Sequence, residues 1–158
     1  RGAGVEVDEE LAAQVWARVR SLPYRLALFD DVVPGLQGLR ARGLTLGLVS
    51  NISQDGQRLC QELGLLPFVD FVVTSSEAGA EKPHPPVFLA ALAKAGVAAS
   101  QAVHVGDQLA SDVAGARGVG IQPVLMDRYR VVSSPLECPV VHSMKELLQL
   151  LGTSRPGF

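Results

Sequence analysis

The chain has 158 residues, 19% of them charged and 47% hydrophobic, with a formal net charge of −2. That length suits one domain, large enough to bury a core without disulfides or metals. The charge balance excludes the basic footprint of a nucleic-acid or acidic-membrane binder, and the hydrophobic content excludes a disordered chain.

The elements follow in chain order. Asp8 caps a first helix, Asp8–Arg20, with Glu9 and Glu10 in its first turn. Leu11, Val15 and Val19 fall on one face of it, with Ala12 and Trp16 beside them, and Pro23 ends it. Leu26–Phe29 is a short apolar run. Pro34-Gly35 opens a helix over Leu36–Arg42 that stops at Gly43, and Leu44–Val49 is a strand. A helix over Gln54–Leu63 closes on Gly64. Phe71–Thr74 is the next strand, and a loop, Ser75–Glu81, leads to Lys82-Pro83-His84-Pro85. Pro85 and Pro86 start a helix that Gly96 ends. Ala102–Val105 is a strand, Leu109–Arg117 a helix, and Ile121–Met126 a strand. Ser143 and Glu146 form a capping box for a last helix to Leu151.

Short apolar runs alternating with helices predict an α/β fold: a Rossmann-like parallel sheet with flanking helices. The longest apolar stretch, Pro85 to Val105, is broken by Lys94, Ser100 and Gln101, so no transmembrane helix is expected. No signal segment opens the chain, and a cytoplasmic protein is expected. Cys60 and Cys138 lack metal-ligand spacing, so two free thiols are expected.

Ligands of such sheets bind beyond the carboxyl ends of the strands. After Leu44–Val49 come Ser50 and Asn51, a hydroxyl and backbone N–H groups at the start of a helix, suited to phosphate. After Phe71–Thr74 comes Lys82, which the neighbouring prolines hold in an extended backbone, its ammonium suited to phosphate oxygens. After Ala102–Val105 come Asp107 at the strand tip and Asp112 in the following helix, two carboxylates suited to Mg²⁺. Each has a bland alternative: a helix cap, a solvated lysine, an N-cap with a solvated partner. Together, in order at successive strand ends, they point to phosphate chemistry. His84, His104 and His142 form no ligand cluster and receive no role.

These segments resemble the haloacid dehalogenase (HAD) superfamily. Leu46-Gly47-Leu48-Val49-Ser50-Asn51 is similar to its second motif, Lys82-Pro83-His84-Pro85 to its third, and Gly106 to Asp112 to its fourth, Gly-Asp-x-x-x-x-Asp. Ala114–Gly120 resembles the helix that follows, and Pro34-Gly35-Leu36 the return from the family's helical cap. The resemblance spans about Val32 to Met126. It implies that Ser50 holds the transferring phosphoryl group with help from the Asn51 amide. Lys82 would screen charge, Asp107 would ligate Mg²⁺, and Asp112 would support the metal or Lys82. The acidic pair points to the phosphatases of the family, since its dehalogenases need no metal. A small phosphorylated metabolite is the expected partner, with no nucleic acid or membrane; oligomeric state is not legible. A receiver domain shares the architecture, but its acidic pair would precede Lys82.

The family's first motif, Asp-x-Asp, supplies the nucleophile and the general acid, and it is not found here. In Leu26-Ala27-Leu28-Phe29-Asp30-Asp31, Val32 fills the place of the second aspartate, and too little chain separates Asp30 from Ser50 for the elements between. Asp30 is therefore expected in the cap-to-core connection. The chain starts with Arg1, not Met, and the preferred expectation is a truncated piece. Residues 1–23 would be a remnant of the helical cap, 24–152 the core and 153–158 a flexible tail. The first strand, which in this family lies between those ending at Ser50 and Asp107, would be absent, leaving backbone groups exposed on both neighbours. The alternative is a non-catalytic HAD-like phosphate-binding or protein-interaction domain.

Overall fold

The computed structural model describes residues 8–21, 26–52, 55–133 and 136–153. The expected boundary at residue 23 and the tail beyond Thr153 lie outside the described residues. Helix α1 (Glu9–Ser21) begins where Asp8 Oδ1 accepts the Leu11 N–H at 2.6 Å, as the sequence predicts. Its apolar stripe is open to solvent, with Leu11, Val15, Trp16 and Val19 between 43% and 61% accessible. Leu26–Phe29 forms no strand; only Leu28 turns inward, against the cluster of Cys60, Leu65 and Val72.

Helix α2 (Val32–Arg40) begins four residues before its predicted start at Leu36. Pro34 lies in its first turn, where a missing N–H breaks no helical bond. Strand β1 (Gly47–Ser50) begins later than predicted. Leu46 is engaged otherwise: its N–H goes to Asp70 Oδ2 and its carbonyl accepts Asp70 N–H. Helix α3 (Gly56–Glu62) is capped by Asp55, whose Oδ1 accepts Gln57 N–H at 2.8 Å. Strand β2 (Phe71–Thr74) matches its prediction. The predicted loop after it coils at once into a short helix, α4 (Ser75–Ala78), because Thr74 Oγ1 accepts the Glu77 N–H.

Helix α5 (Pro85–Ala95) has proline in its first turn and Gly96 at φ 68° behind it. Strand β3 (Val103–Gly106) follows. The predicted helix at Leu109 starts as a wide turn, Leu109–Val113, in which Val113 N–H reaches back five residues to Gln108 O, and only then becomes α6 (Ala114–Gly118). Strand β4 (Gln122–Met126) begins one residue after its predicted start at Ile121; β5 (Val140–Val141) was not foreseen. Helix α7 (Met144–Thr153) runs past its predicted end at Leu151. Half of its capping box forms, Glu146 N–H to Ser143 Oγ; the Glu146 carboxylate accepts the His142 N–H instead of that of Ser143.

The strands make two parallel sheets, β1–β2 and β3–β4–β5. Alternating side chains point to opposite layers. Leu48, Val72 and Val124 face α2, α3 and α7, while Val49 and Val73 face α5 and α6. Both layers span the two sheets. Leu36 of α2 packs against the cluster holding Val72 and against the one holding Val124. Beneath α5, Val49 and Val73 share a cluster with Ala116 and Ile121. The architecture is therefore the expected α/β one, with parallel strands between helical layers.

The burial is inverted relative to an ordinary sheet. β2 and β4 are buried at nearly every position, whereas no residue of β1 or β3 is buried. A central strand normally has neighbours on both sides and is the driest part of a sheet. Among the described residues β1 pairs only with β2, and β3 only with β4.

Candidate active site

The carboxyl ends of β1 and β3 carry the residues singled out from sequence. Ser50 is the last residue of β1, half-buried, and Asn51 follows it, exposed. The helix expected directly behind them is displaced: α3 opens only at Gly56, where Asp55 caps it, so neither residue sits at a helix N-terminus. Asn51 has another task. Its Nδ2 donates to the Lys82 carbonyl at 3.0 Å and its Oδ1 accepts the Lys82 N–H at 2.7 Å. This pair of bonds fastens the Lys82 loop to the end of β1. Of the amide help that the resemblance assigns to Asn51, the side chain's part goes to Lys82.

The loop itself is a turn and not the extended run predicted. His84 N–H closes on Glu81 O at 2.9 Å, and the Lys82–Pro83 peptide is cis. The turn aims Lys82 inward, where its side chain is 13% accessible. Nζ donates to Asp112 Oδ1 at 2.7 Å and to Val49 O at 3.3 Å.

Asp112 arrives from the other sheet. The wide turn after β3 swings it back over the strand tip, and Gly106 makes the room: a Cβ there would lie inside the Asp112 carboxylate. Asp112 is buried, and both its oxygens are bonded. Oδ1 takes Lys82 and His104 Nε2, the latter at 3.0 Å; Oδ2 accepts the Gln108 N–H at 3.0 Å. Burial pushes this carboxyl up, but the bonds from His104 and Lys82, the Lys82 charge and the Gln108 N–H outweigh it and hold it well below the usual carboxylate range. Asp107, by contrast, is exposed and makes no hydrogen bond or ion pair among the described residues.

The expected metal can be tested against these donors. Mg²⁺ takes one or two carboxylates and otherwise keeps water and phosphate oxygens. Asp107 fits such a role. Asp112 is more heavily used: Oδ1 is filled by two donors, while Oδ2 has one and keeps a lone pair. Of the two roles the resemblance offers Asp112, its contacts are those of a support for Lys82. Among the described residues no three acidic, histidine or cysteine side chains cluster to hold a metal. Among the described residues, Asp107 is thus the exposed carboxylate available to a metal and Asp112 a buried, partly occupied one.

Sequence reasoning missed His104, which sits on β3 at 12% accessibility with its ring edge-on to Phe88, centroids 5.1 Å apart. A histidine eight residues before its partner gives no periodic signal; the wide turn alone brings them together. Asp30 is exposed and makes no hydrogen bond or ion pair with Ser50, Lys82, Asp107 or Asp112 among the described residues. Its neighbour Asp31 joins elements instead, accepting Met144 N–H at 2.8 Å and pairing with Arg128.

A family model of haloacid dehalogenase-like hydrolases matches residues 2–120. The chain is 35% identical over 128 residues to haloacid dehalogenase-like hydrolase domain-containing protein 3 of Danio rerio, covering 81% of this chain and 53% of that protein. It is 39% identical over 130 residues to a glyceraldehyde 3-phosphate phosphatase of Methanopyrus kandleri, covering 81% and 56%. Among solved structures, a HAD phosphatase from Thermococcus onnurineus superposes with a TM-score of 0.74 at 35% identity, over 81% of this chain and 60% of that one. The chain spans about half the length of the curated relatives it matches. The match over most of its residues establishes that this chain belongs to the haloacid dehalogenase-like hydrolases.

Proposed function

We propose that the chain is the phosphate-handling part of a phosphomonoester hydrolase acting on a small phosphorylated metabolite, and that a further strand between β1 and β3 supplies its nucleophilic carboxylate. The observation that carries this is Lys82: an ammonium bonded to Asp112 and Val49 O, on a backbone that Asn51 clasps, linking residues of the two sheets. Phosphoryl transfer is mainly positioning and charge neutralisation. Ser50, through its hydroxyl, and Asn51, through its backbone N–H, would hold non-bridging phosphate oxygens. Lys82 would screen the attacking carboxylate from the phosphate. Mg²⁺, held by Asp107 and the incoming carboxylate, would neutralise charge on the phosphate. The relatives named as phosphatases support the reaction class, and half-exposed central strands support an added strand.

In the family's scheme a carboxylate attacks phosphorus, the alcohol leaves with a proton from a second acid, and water then hydrolyses the aspartyl-phosphate. The described residues provide neither carboxylate. The isolated chain should therefore show no hydrolysis of p-nitrophenyl phosphate with Mg²⁺, yet inorganic phosphate should slow acetylation of Lys82. Robust Mg²⁺-dependent turnover by the isolated chain would refute the missing-nucleophile assignment. Lys82 acetylation indifferent to phosphate would favour the second reading, a protein-interaction domain of the same fold.

A further inference from the structure

We infer that His104 is a positioning residue of this site: it fixes Asp112 as the anchor of Lys82 and so sets where the ammonium stands. The inference rests on the phosphohydrolase assignment only for its purpose; the geometry stands by itself. A carboxylate with one hydrogen-bonded cation can swivel and carry that cation with it. Asp112 cannot, because its two oxygens are held from three directions: Lys82 and His104 on Oδ1, Gln108 N–H on Oδ2. Two of these come from its own segment. Gln108 opens the wide turn, and His104 rises from the strand beneath it. Lys82 is the one donor that comes from the far side of the sheet junction.

His104 is itself held. It lies in a strand paired with β4, opposite Pro123, and its ring meets the edge of Phe88, which is buried in α5. Because α5 also follows directly on the Lys82 turn, the same helix carries the lysine and braces the histidine that fixes the lysine's partner. A carboxylate accepts hydrogen bonds, so His104 must present Nε2–H to Oδ1. With Oδ1 filled in this way, that oxygen of Asp112 is committed to Lys82 and His104, while Asp107 is the exposed carboxylate.

Two measurements on the whole chain test this. Long-range nitrogen–proton NMR of the wild type should show a proton on His104 Nε2; a neutral ring protonated on Nδ1 alone would overturn the inference. The second is the rate at which N-hydroxysuccinimidyl acetate acetylates Lys82, read by mass spectrometry with the exposed Lys145 as internal reference. His104→Phe keeps a ring against Phe88 but removes the donor. It should raise the Lys82 rate about tenfold, the scale of one charge-assisted hydrogen bond. His104→Gln offers an amide donor at a similar reach and should restore a rate near wild type. A Phe variant as slow as wild type, or a Gln variant as fast as Phe, would overturn the inference. If the Phe variant does not fold, the NMR result decides alone. Phosphate protection of wild-type Lys82 reads the phosphohydrolase assignment separately, so either can fail without the other.

Discussion

At the scale of single residues, the site depends on a void and on a charge. The void is at Gly106. Gly106→Ala would drive a methyl into the Asp112 carboxylate, so Asp112 must swing off Lys82. A loss of about 2 kcal/mol is expected from overpacking, with faster acetylation of Lys82; an unchanged unfolding midpoint in urea would count against it. The charge is on Asp112. Replacing it by Ala leaves a nearly buried ammonium without its partner and should cost about 3 kcal/mol. Its pH dependence has a definite sign. The folded carboxyl is held below its unfolded value of about 3.9. Its stabilising contribution is thus complete above that value and is lost as pH falls from there through the depressed folded value. The stability gap between wild type and Asp112→Asn should be constant near neutrality and shrink below about pH 4. Thermal melts at a series of pH values measure it, and a gap that widens in acid would contradict the assignment.

At the scale of elements, helices and stops were the most legible part of the sequence, and the reasons are local. Gly64 and Gly96 sit at positive φ, where glycine is favoured, and each ends the helix that the apolar period had marked. Strand ends were read less well, because Leu46 has the composition of a strand residue but bonds to Asp70. The two-residue β5 carries too little pattern to read. Of the candidate site, an ordered set of strand-end residues, Ser50, Lys82, Asp107 and Asp112, was legible, and the structure joins Lys82 to Asp112. Its wiring was not: that Asn51 clasps Lys82, or that His104 reaches Asp112, depends on a turn and a bulged helix start that no spacing rule announces. Two glycines separate the stability of an element from the shape of the site. In α2, a Cβ at Gly35 would come within 2.5 Å of Met144 Cβ at the start of α7, far in the chain from Lys82. Gly35→Ala should lower stability by about 2 kcal/mol and leave the relative acetylation of Lys82 unaltered. In α6, a Cβ at Gly115 would meet the Phe88 ring and approach Pro83 Cα at 2.9 Å, backbone that adjoins Lys82. Gly115→Ala should therefore change Lys82 acetylation as well as stability. Equal Lys82 behaviour in the two variants would argue against the coupling.

At the scale of the whole molecule, β1 and β3 are more exposed than their partners β2 and β4. Amide exchange should show the same inversion: amides of β2 and β4 protected, those of β1 and β3 that lack a partner strand exchanging quickly. Uniform protection across the four strands would show that the centre is closed. Such open edges also pair readily with other chains, so concentration-dependent association is expected of the isolated chain. The two sheets are joined by helical layers and by one polar chain of contacts, Val49 O to Lys82 to Asp112 to His104. That chain has a mechanical meaning. Lys82 is a rivet as well as a charge, and a force that parts the sheets must draw on it. Parting the sheets would draw the ammonium off Asp112 and also pull Val49 and Val73 from Ala116 and Ile121, so the site's geometry and the core shared by the two sheets would fail together.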